Sequence, residues 1–251
     1  MLNKKKICSA HQPAFLPWCG YIHKVLLSDF FVFMDISKFR KRSFMHRNMI
    51  EINSLEHFLG LKLSKNSDLL DCDEIIMEKT NGIKCISEIV KKIDHTYKKS
   101  NYKKDLDDFL NNSFNNLKLY TLNNICYKQL LYLKNKLKID SKIINESDIL
   151  TKQEVINLGA SKRLLNHALK TNSEIYLTGI NSRDYLDKDL FNKHNIRNVT
   201  QNFNYFCFQD YQKSQKPLSI VHQIAEVGFN KIIYLLLNKQ VTKEDILNDR
   251  L

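Results

Sequence analysis

A strand that ends in a proline-rich turn, runs straight into a helix and is followed by a second, wholly apolar strand leaves few folds open. Here KKICSAH (5–11) carries Ile7, Cys8 and Ala10, which suit a packed strand, and turn residues follow at once. Trp18, Tyr21, Ile22, Val25 and Leu26 then recur at helical spacing, which predicts a helix ending near Ser28. FFVFMD (30–35) is a continuous run of β-forming apolar residues, the pattern of a strand covered on both faces. In that order these segments form a βαβ unit, whose strands lie parallel and whose crossover is right-handed. The connection also gathers scarce residues: of three prolines in the chain, Pro13 and Pro17 lie here, beside its one tryptophan, Trp18.

Beyond this unit, HFLGLKL (57–63) alternates like a third strand with a bulge at Gly60, and EIIME (74–78) is a further strand candidate. The middle is helical. One stripe runs through Ile83, Ile86, Val90, Ile93 and Tyr97, with Asn81 as its cap, and a second through Leu119, Leu122, Cys126, Leu130, Leu133 and Leu137. Strand and helix then alternate again: SKIINES (141–147), a helical stretch over 153–171, SEIYLTG (173–179) and IRNVTQNFN (196–204). The tail reads as two helices hinged near Gly228. With 251 residues and 43% hydrophobic content, the chain suits one α/β domain over 1–251. The expected architecture is a Rossmann-like parallel sheet with flanking helices and a helical insertion over 82–138.

The net charge of +12 comes from lysines interleaved with Asn, Asp and Glu, as on a solvated surface, so no specific nucleic-acid partner is expected. One dense cluster lacks acids, SKFRKRSFMHRN (37–48), and it would attract a phosphate, carboxylate, nucleic acid or acidic membrane face. The six cysteines form no CxxC pair, which argues against a disulfide or zinc framework. The basic start MLNKKKICSA is broken by His11, Gln12 and Pro13 and is not a signal peptide; IIYLLL (232–237) is too short to span a bilayer. These features point to a cytoplasmic protein with no transmembrane segment.

In open α/β sheets ligands bind beyond the carboxyl ends of the strands, where His11 falls. The competing reading is a histidine that satisfies a backbone carbonyl in the turn. Gly20 in the first helical turn indicates close packing or ligand approach. Nucleotidylyltransferases of the HxGH type have a similar βαβ start; W-x-G-Y falls at the equivalent place, without either histidine. Asp35, at the end of the second strand, is the candidate to orient His11 or hold a substrate amine, and Lys24 lies one turn beyond Gly20. Arg40, Lys41, Arg42, Arg47 and Asn48 form a candidate anion clamp, with a solvated loop as the alternative. Ser161, Lys162 and Arg163 open a later helix, again suited to an anion. His222 reads as a satisfied core histidine, Cys19 has no activating base nearby, and no metal-ligand spacing is present.

The opening stretch resembles the WbqC-like family, whose pattern HQPxFLPWxGYxxKxxxSD is matched by His11, Gln12, Pro13, Phe15, Leu16, Pro17, Trp18, Gly20, Tyr21, Lys24, Ser28 and Asp29, then by Asp35. Further similarity lies at Arg47-Asn48, at Tyr97 and Tyr102, at Tyr176, Thr178, Gly179, Tyr185 and Leu186, and at Leu218, Ser219, Ile220 and Gly228. His222 stands where the family has Asp, and GINSRDYL replaces a more Gly-rich loop. The resemblance implies a role in bacterial surface polysaccharide, typically O-antigen, biosynthesis. Combined with the site residues, it suggests a transferase that modifies a nucleotide-linked amino sugar by N-acyl or aminoacyl transfer. His11 would be the base and Asp35 its orienter. Gln12, Trp18, Gly20, Tyr21, Lys24, Arg40, Arg42, Arg47, Asn48, Tyr176, Gly179 and Tyr185 would contact substrate. The co-substrate would be an activated acyl or aminoacyl donor. The alternatives are nucleotidylyl transfer, using a nucleoside triphosphate with magnesium, and a non-catalytic sugar- or nucleic-acid-binding protein.

Overall fold

The computed structural model of the chain describes residues 5–63, 66–77, 79–115, 117, 120–182 and 185–250. The predicted βαβ unit is there: β1 (Ile7–His11), α1 (Cys19–Leu27) and β2 (Phe30–Phe33), with Cys8 registered against Phe30 and His11 against Phe33. Three later strands join it, β5 (Lys142–Asn145), β6 (Ile175–Thr178) and β7 (Arg197–Thr200). The order is β5-β2-β1-β6-β7 and every pairing is parallel. The chain therefore winds outward from β1 in one direction and then, through β6, in the other. The reversal falls between β1 and β6, where such sheets hold their ligands. This is the Rossmann-like α/β fold expected from the sequence.

Side chains alternate across the sheet. Phe31 and Phe33 enter the main core with Tyr21 and Ile22 of α1, while Val32 and Met34 face Leu165 and Ala168 of α6 (Ala160–Lys170). Each fully buried Phe or Ile contributes about 2–3 kcal/mol by removal from water, so both faces hold the sheet.

The middle of the chain supplies α2 (Lys79–Thr96), α3 (Lys103–Phe114) and α4 (Leu122–Lys136). Their residues Ile93, Leu106, Phe109, Ile125 and Leu130 share the main core with Phe15 and Ile224. Asn81 lies inside α2 rather than capping it, and Ile83 is exposed; Leu119 falls outside the described residues. The cap found belongs to α4, where the Thr121 hydroxyl accepts from the Asn124 N–H at 3.1 Å.

Two expected strands differ. HFLGLKL contributes β4 (Leu55–Gly60), but it pairs antiparallel with β3 (Arg47–Ile52) in a separate hairpin. The turn residues Asn53 and Ser54 both have positive φ, as a two-residue hairpin loop of this hand requires. Gly60 forms no bulge there; it sits where a Cβ would come within 2.8 Å of the Arg47 Cβ across the hairpin. In EIIME, only Ile76 makes a bridge, to Thr121, after a 3-10 turn over Cys72–Glu74; Glu78 is outside the described residues.

The remaining helices are α5 (Lys152–Asn157), α7 (Lys188–Lys193), α8 (Ile220–Asn238) and α9 (Lys243–Leu247). The tail breaks where expected, at Gly228 with φ +70°, beneath the Tyr102 ring. The run Ile220–Leu247 is long and apolar enough to cross a membrane by length and composition, but 67% of its most apolar window is buried in the fold, so it serves as a core element.

Candidate functional site

The loop from β1 to α1 has to turn sharply, and Leu16 does so at φ 44°, a conformation costing about 1–2 kcal/mol for a non-glycine residue. Three distant elements hold it there. The Gln129 side-chain carbonyl of α4 accepts from the Leu16 N–H at 2.8 Å, and the Leu16 carbonyl accepts from Asn48 at 2.7 Å and from the Ser219 hydroxyl at 2.8 Å. Asn48 is fully buried, and its Oδ1 also accepts from the Met49 N–H. It therefore braces the loop from below instead of contacting substrate. Asn48→Ala is expected to lower stability by about 2 kcal/mol in urea denaturation, because it strands buried backbone groups.

His11 sits at the end of β1 with its ring edge-on to Trp18 (centroids 5.4 Å) and Tyr21 (4.9 Å). Its Nδ1–H donates to the Gln12 carbonyl at 2.8 Å, which fixes the tautomer and leaves Nε2 as the unprotonated nitrogen. Burial, reinforced by the charge of Lys24 and opposed by the Gln12 bond, lowers its pKa to about 4. At neutral pH His11 is an uncharged acceptor. The ring thus satisfies a turn carbonyl through Nδ1, as the structural reading of His11 expects, and among the described residues no hydrogen bond to Nε2 accompanies it.

Lys24 projects from α1 toward the same strand ends. It is only 6% exposed, and its Nζ donates to the Ala10 carbonyl at 3.1 Å. Burial lowers its pKa to about 8. Across from it, at the end of β6, Gly179 leaves room: among the described residues, its chain neighbours aside, a Cβ built there has only the Lys24 Nζ within 4 Å, at 3.7 Å. His11, Lys24 and Gly179 thus meet at the reversal between β1 and β6.

Trp18 packs on the Phe44 ring at 5.2 Å, which brings the basic loop to the rim of the site. Arg40 and Arg42 are exposed on that loop. Arg47 has other work: Nη2 donates to the Arg42 carbonyl at 3.0 Å, and its guanidinium lies 4.2 Å over the Phe58 ring. Gly20 accommodates no ligand, since a Cβ there would lie 2.7 Å from the Trp18 Nε1 and 3.1 Å from Phe203. Its small size lets the tryptophan fold back over α1.

Two more candidates lie elsewhere. Tyr176 is 1% exposed, with its ring 5.6 Å from Phe191 in the α6–α7 core, so it packs rather than binds. The Asp35 carboxylate accepts from the Ser147 N–H at 3.0 Å and its hydroxyl at 2.5 Å, tying β2 to the end of β5; the orienting partner of His11 is the Gln12 carbonyl. Tyr185 is 55% exposed beyond β6, next to the undescribed residues 183–184 of the GINSRDYL loop.

Arg163 is not free for an anion, because it makes a two-pronged ion pair with the fully buried Glu146. His222 is satisfied in the core, with Nδ1 2.9 Å from the Tyr97 hydroxyl and Nε2 3.2 Å from the Tyr211 carbonyl. Burial pushes the Cys19 thiol far up, away from thiolate chemistry. Among the described residues no group of three or more His, Cys, Asp and Glu is placed to hold a metal.

Sequence reasoning missed Glu146 and Gln201. Glu146 lies directly after a strand, at the same sheet edge as His11, and that position was the available signal. Gln201, one residue past β7, donates to the Gly20 carbonyl at 2.9 Å and to the His23 Nδ1 at 3.1 Å. No local pattern announces that pairing.

No curated protein and no solved structure matches the chain. The model of the WbqC-like protein family matches residues 12–234, from Gln12 at the β1 terminus into α8. That span includes Lys24, Gly179 and the three elements that brace the Leu16 turn, and the chain is a member of the WbqC-like family.

Proposed function

We propose that this protein is a cytoplasmic transferase that modifies a nucleotide-linked amino sugar for surface polysaccharide, by N-acyl or aminoacyl transfer. The observation that carries the reading is the neutral His11, whose free Nε2 stands at the β1 terminus beside the sheet reversal. In acyl transfer the sugar amine attacks the donor carbonyl and the C–N bond forms. The bond from the acyl carbon to the donor's leaving group breaks with its electron pair going to that group, and the proton lost by the amine is finally passed to it. His11 Nε2 takes that proton, and the Gln12 carbonyl on Nδ1–H stabilises the imidazolium that results. The Arg40 and Arg42 side chains at the rim suit a diphosphate. The test is a mass-shift assay with nucleotide amino sugars and acyl donors. His11→Gln should lower turnover by about 10²–10⁴-fold with the fold intact by circular dichroism. No product across the donor and acceptor set, or full activity in His11→Gln, would overturn the reading.

A second reading is nucleotidylyl transfer, favoured by the helix opening W-x-G-Y in the crossover that follows the first strand of a doubly wound sheet. It predicts magnesium-dependent release of pyrophosphate from a nucleoside triphosphate. Transfer to an amino sugar from an acyl donor does not require that release.

A further inference from the structure

A buried ammonium without a carboxylate is costly to a fold. Among the described residues no ion pair involves Lys24, and the one hydrogen bond of its ammonium goes to the neutral Ala10 carbonyl. The other deeply buried charge at this sheet edge, Glu146, is matched by Arg163. A methionine would fill the Lys24 site without desolvating a charge, so retention of the amine points to a ligand that completes it. Geometry says where. Among the described residues, its chain neighbours aside, only the Lys24 Nζ comes within 4 Å of the position of a Gly179 Cβ, at 3.7 Å, so a ligand oxygen packed against the Gly179 backbone can approach the ammonium. Gly179 is partly accessible, and Ile180 next to it is 62% exposed, so the space opens outward.

We propose that the Lys24 ammonium and the gap beside Gly179 form the seat for a phosphate group of the substrate, at the reversal between β1 and β6. The nucleoside-diphosphate identity of that substrate rests on the transferase reading; the anion seat does not. Phosphate is favoured over carboxylate because the basic rim residues Arg40 and Arg42 extend the positive field outward, toward a second anionic group. Occupation of the seat would also act on His11. The Lys24 charge is the second cause, after burial, that keeps His11 unprotonated. A phosphate that offsets this charge makes His11 a stronger base when substrate is bound.

The experiment measures binding of inorganic pyrophosphate, UDP and acetate by calorimetry, and thermal unfolding, for the wild type, Lys24→Met and Gly179→Ala. Pyrophosphate and UDP should bind the wild type and raise its Tm. Lys24→Met should lose at least about tenfold in affinity, as expected when a charge-assisted bond of about 1.4 kcal/mol or more is lost. Its ligand-free Tm should nonetheless rise by several degrees, which separates lost binding from lost folding. Gly179→Ala should fold normally and weaken binding by filling the gap. Unchanged UDP and pyrophosphate affinity in Lys24→Met would overturn the seat, as would a wild type that binds neither or binds only acetate. UDP binding that depends on Lys24 without any transfer product would sink the transferase reading and leave the seat standing.

Discussion

Acidification from pH 7 to pH 5 will cost the ligand-free protein at least about 4 kcal/mol of stability, about 2 kcal/mol from each of the two histidines His11 and His23. His11 and His23 both have their pKa lowered to about 4, chiefly by burial. His23 is fully buried, with Nε2–H donating to the Val241 carbonyl at 2.8 Å and Nδ1 accepting from Gln201. In the unfolded chain each ring binds a proton near pH 6.5; in the folded chain it does not do so until about pH 4. Unfolding therefore takes up protons across this window. The stability these rings contribute is fully present above about 6.5 and is lost as the pH falls toward 4. His167 and His222 are shifted the same way by burial and steepen the slope. Urea denaturation at half-unit pH steps reads the effect directly. His23→Gln should reduce the loss by about 2 kcal/mol, and a wild-type stability that stays flat from pH 7 to 5 would contradict neutral, buried rings.

The part of the fold legible in the sequence is the part whose signals are local. Ile7 to Asp35 declares strand, turn, helix and strand through spacing alone, and the parallel pairing of β1 with β2 follows from the short helical crossover. That β6 lies on the other side of β1 could not be read, because Ile7 and Ile175 are partners across most of the chain and no turn fixes their register. The same limit explains the site. Position after a strand singled out His11, Asp35 and Gly179. It could not tell that the Asp35 carboxylate goes to Ser147, or that Lys24, one turn into α1, points back at Gly179. At Gly20 the packing reading holds and at Asn48 the clamp reading does not. Both are needed because the loop folds tightly, with Trp18 over Gly20 and the Asn48 amide under Leu16, and neither needs a ligand to explain it.

Glu146→Ala should be the most damaging single substitution at the carboxyl edge of the sheet, with a loss of about 3–5 kcal/mol, because it leaves a buried guanidinium without its anion. Glu146 is 0% exposed just past β5. Its Oε1 accepts from Arg163 Nε at 2.6 Å and from His167 Nε2 at 2.8 Å, and Arg163 Nη2 also donates to the Ser37 hydroxyl at 2.9 Å. One carboxylate thus ties the ends of β5 and β2 to α6, and through His167 reaches the Tyr176 hydroxyl in β6. Burial pushes the Glu146 pKa up, but the bonds from Arg163 and His167 outweigh it and hold the carboxyl below its usual range. A depressed carboxyl contributes stability above about pH 4.3 that is lost as the pH falls through its folded value, so the Glu146→Ala penalty should shrink in strong acid. The double variant Glu146→Ala/Arg163→Met should cost less than Glu146→Ala alone, since it removes the stranded charge along with its partner. A Glu146→Ala loss below about 1 kcal/mol, the range of exposed pairs, would mean the pair is solvated and does not lock the strand ends on which His11 and Lys24 depend.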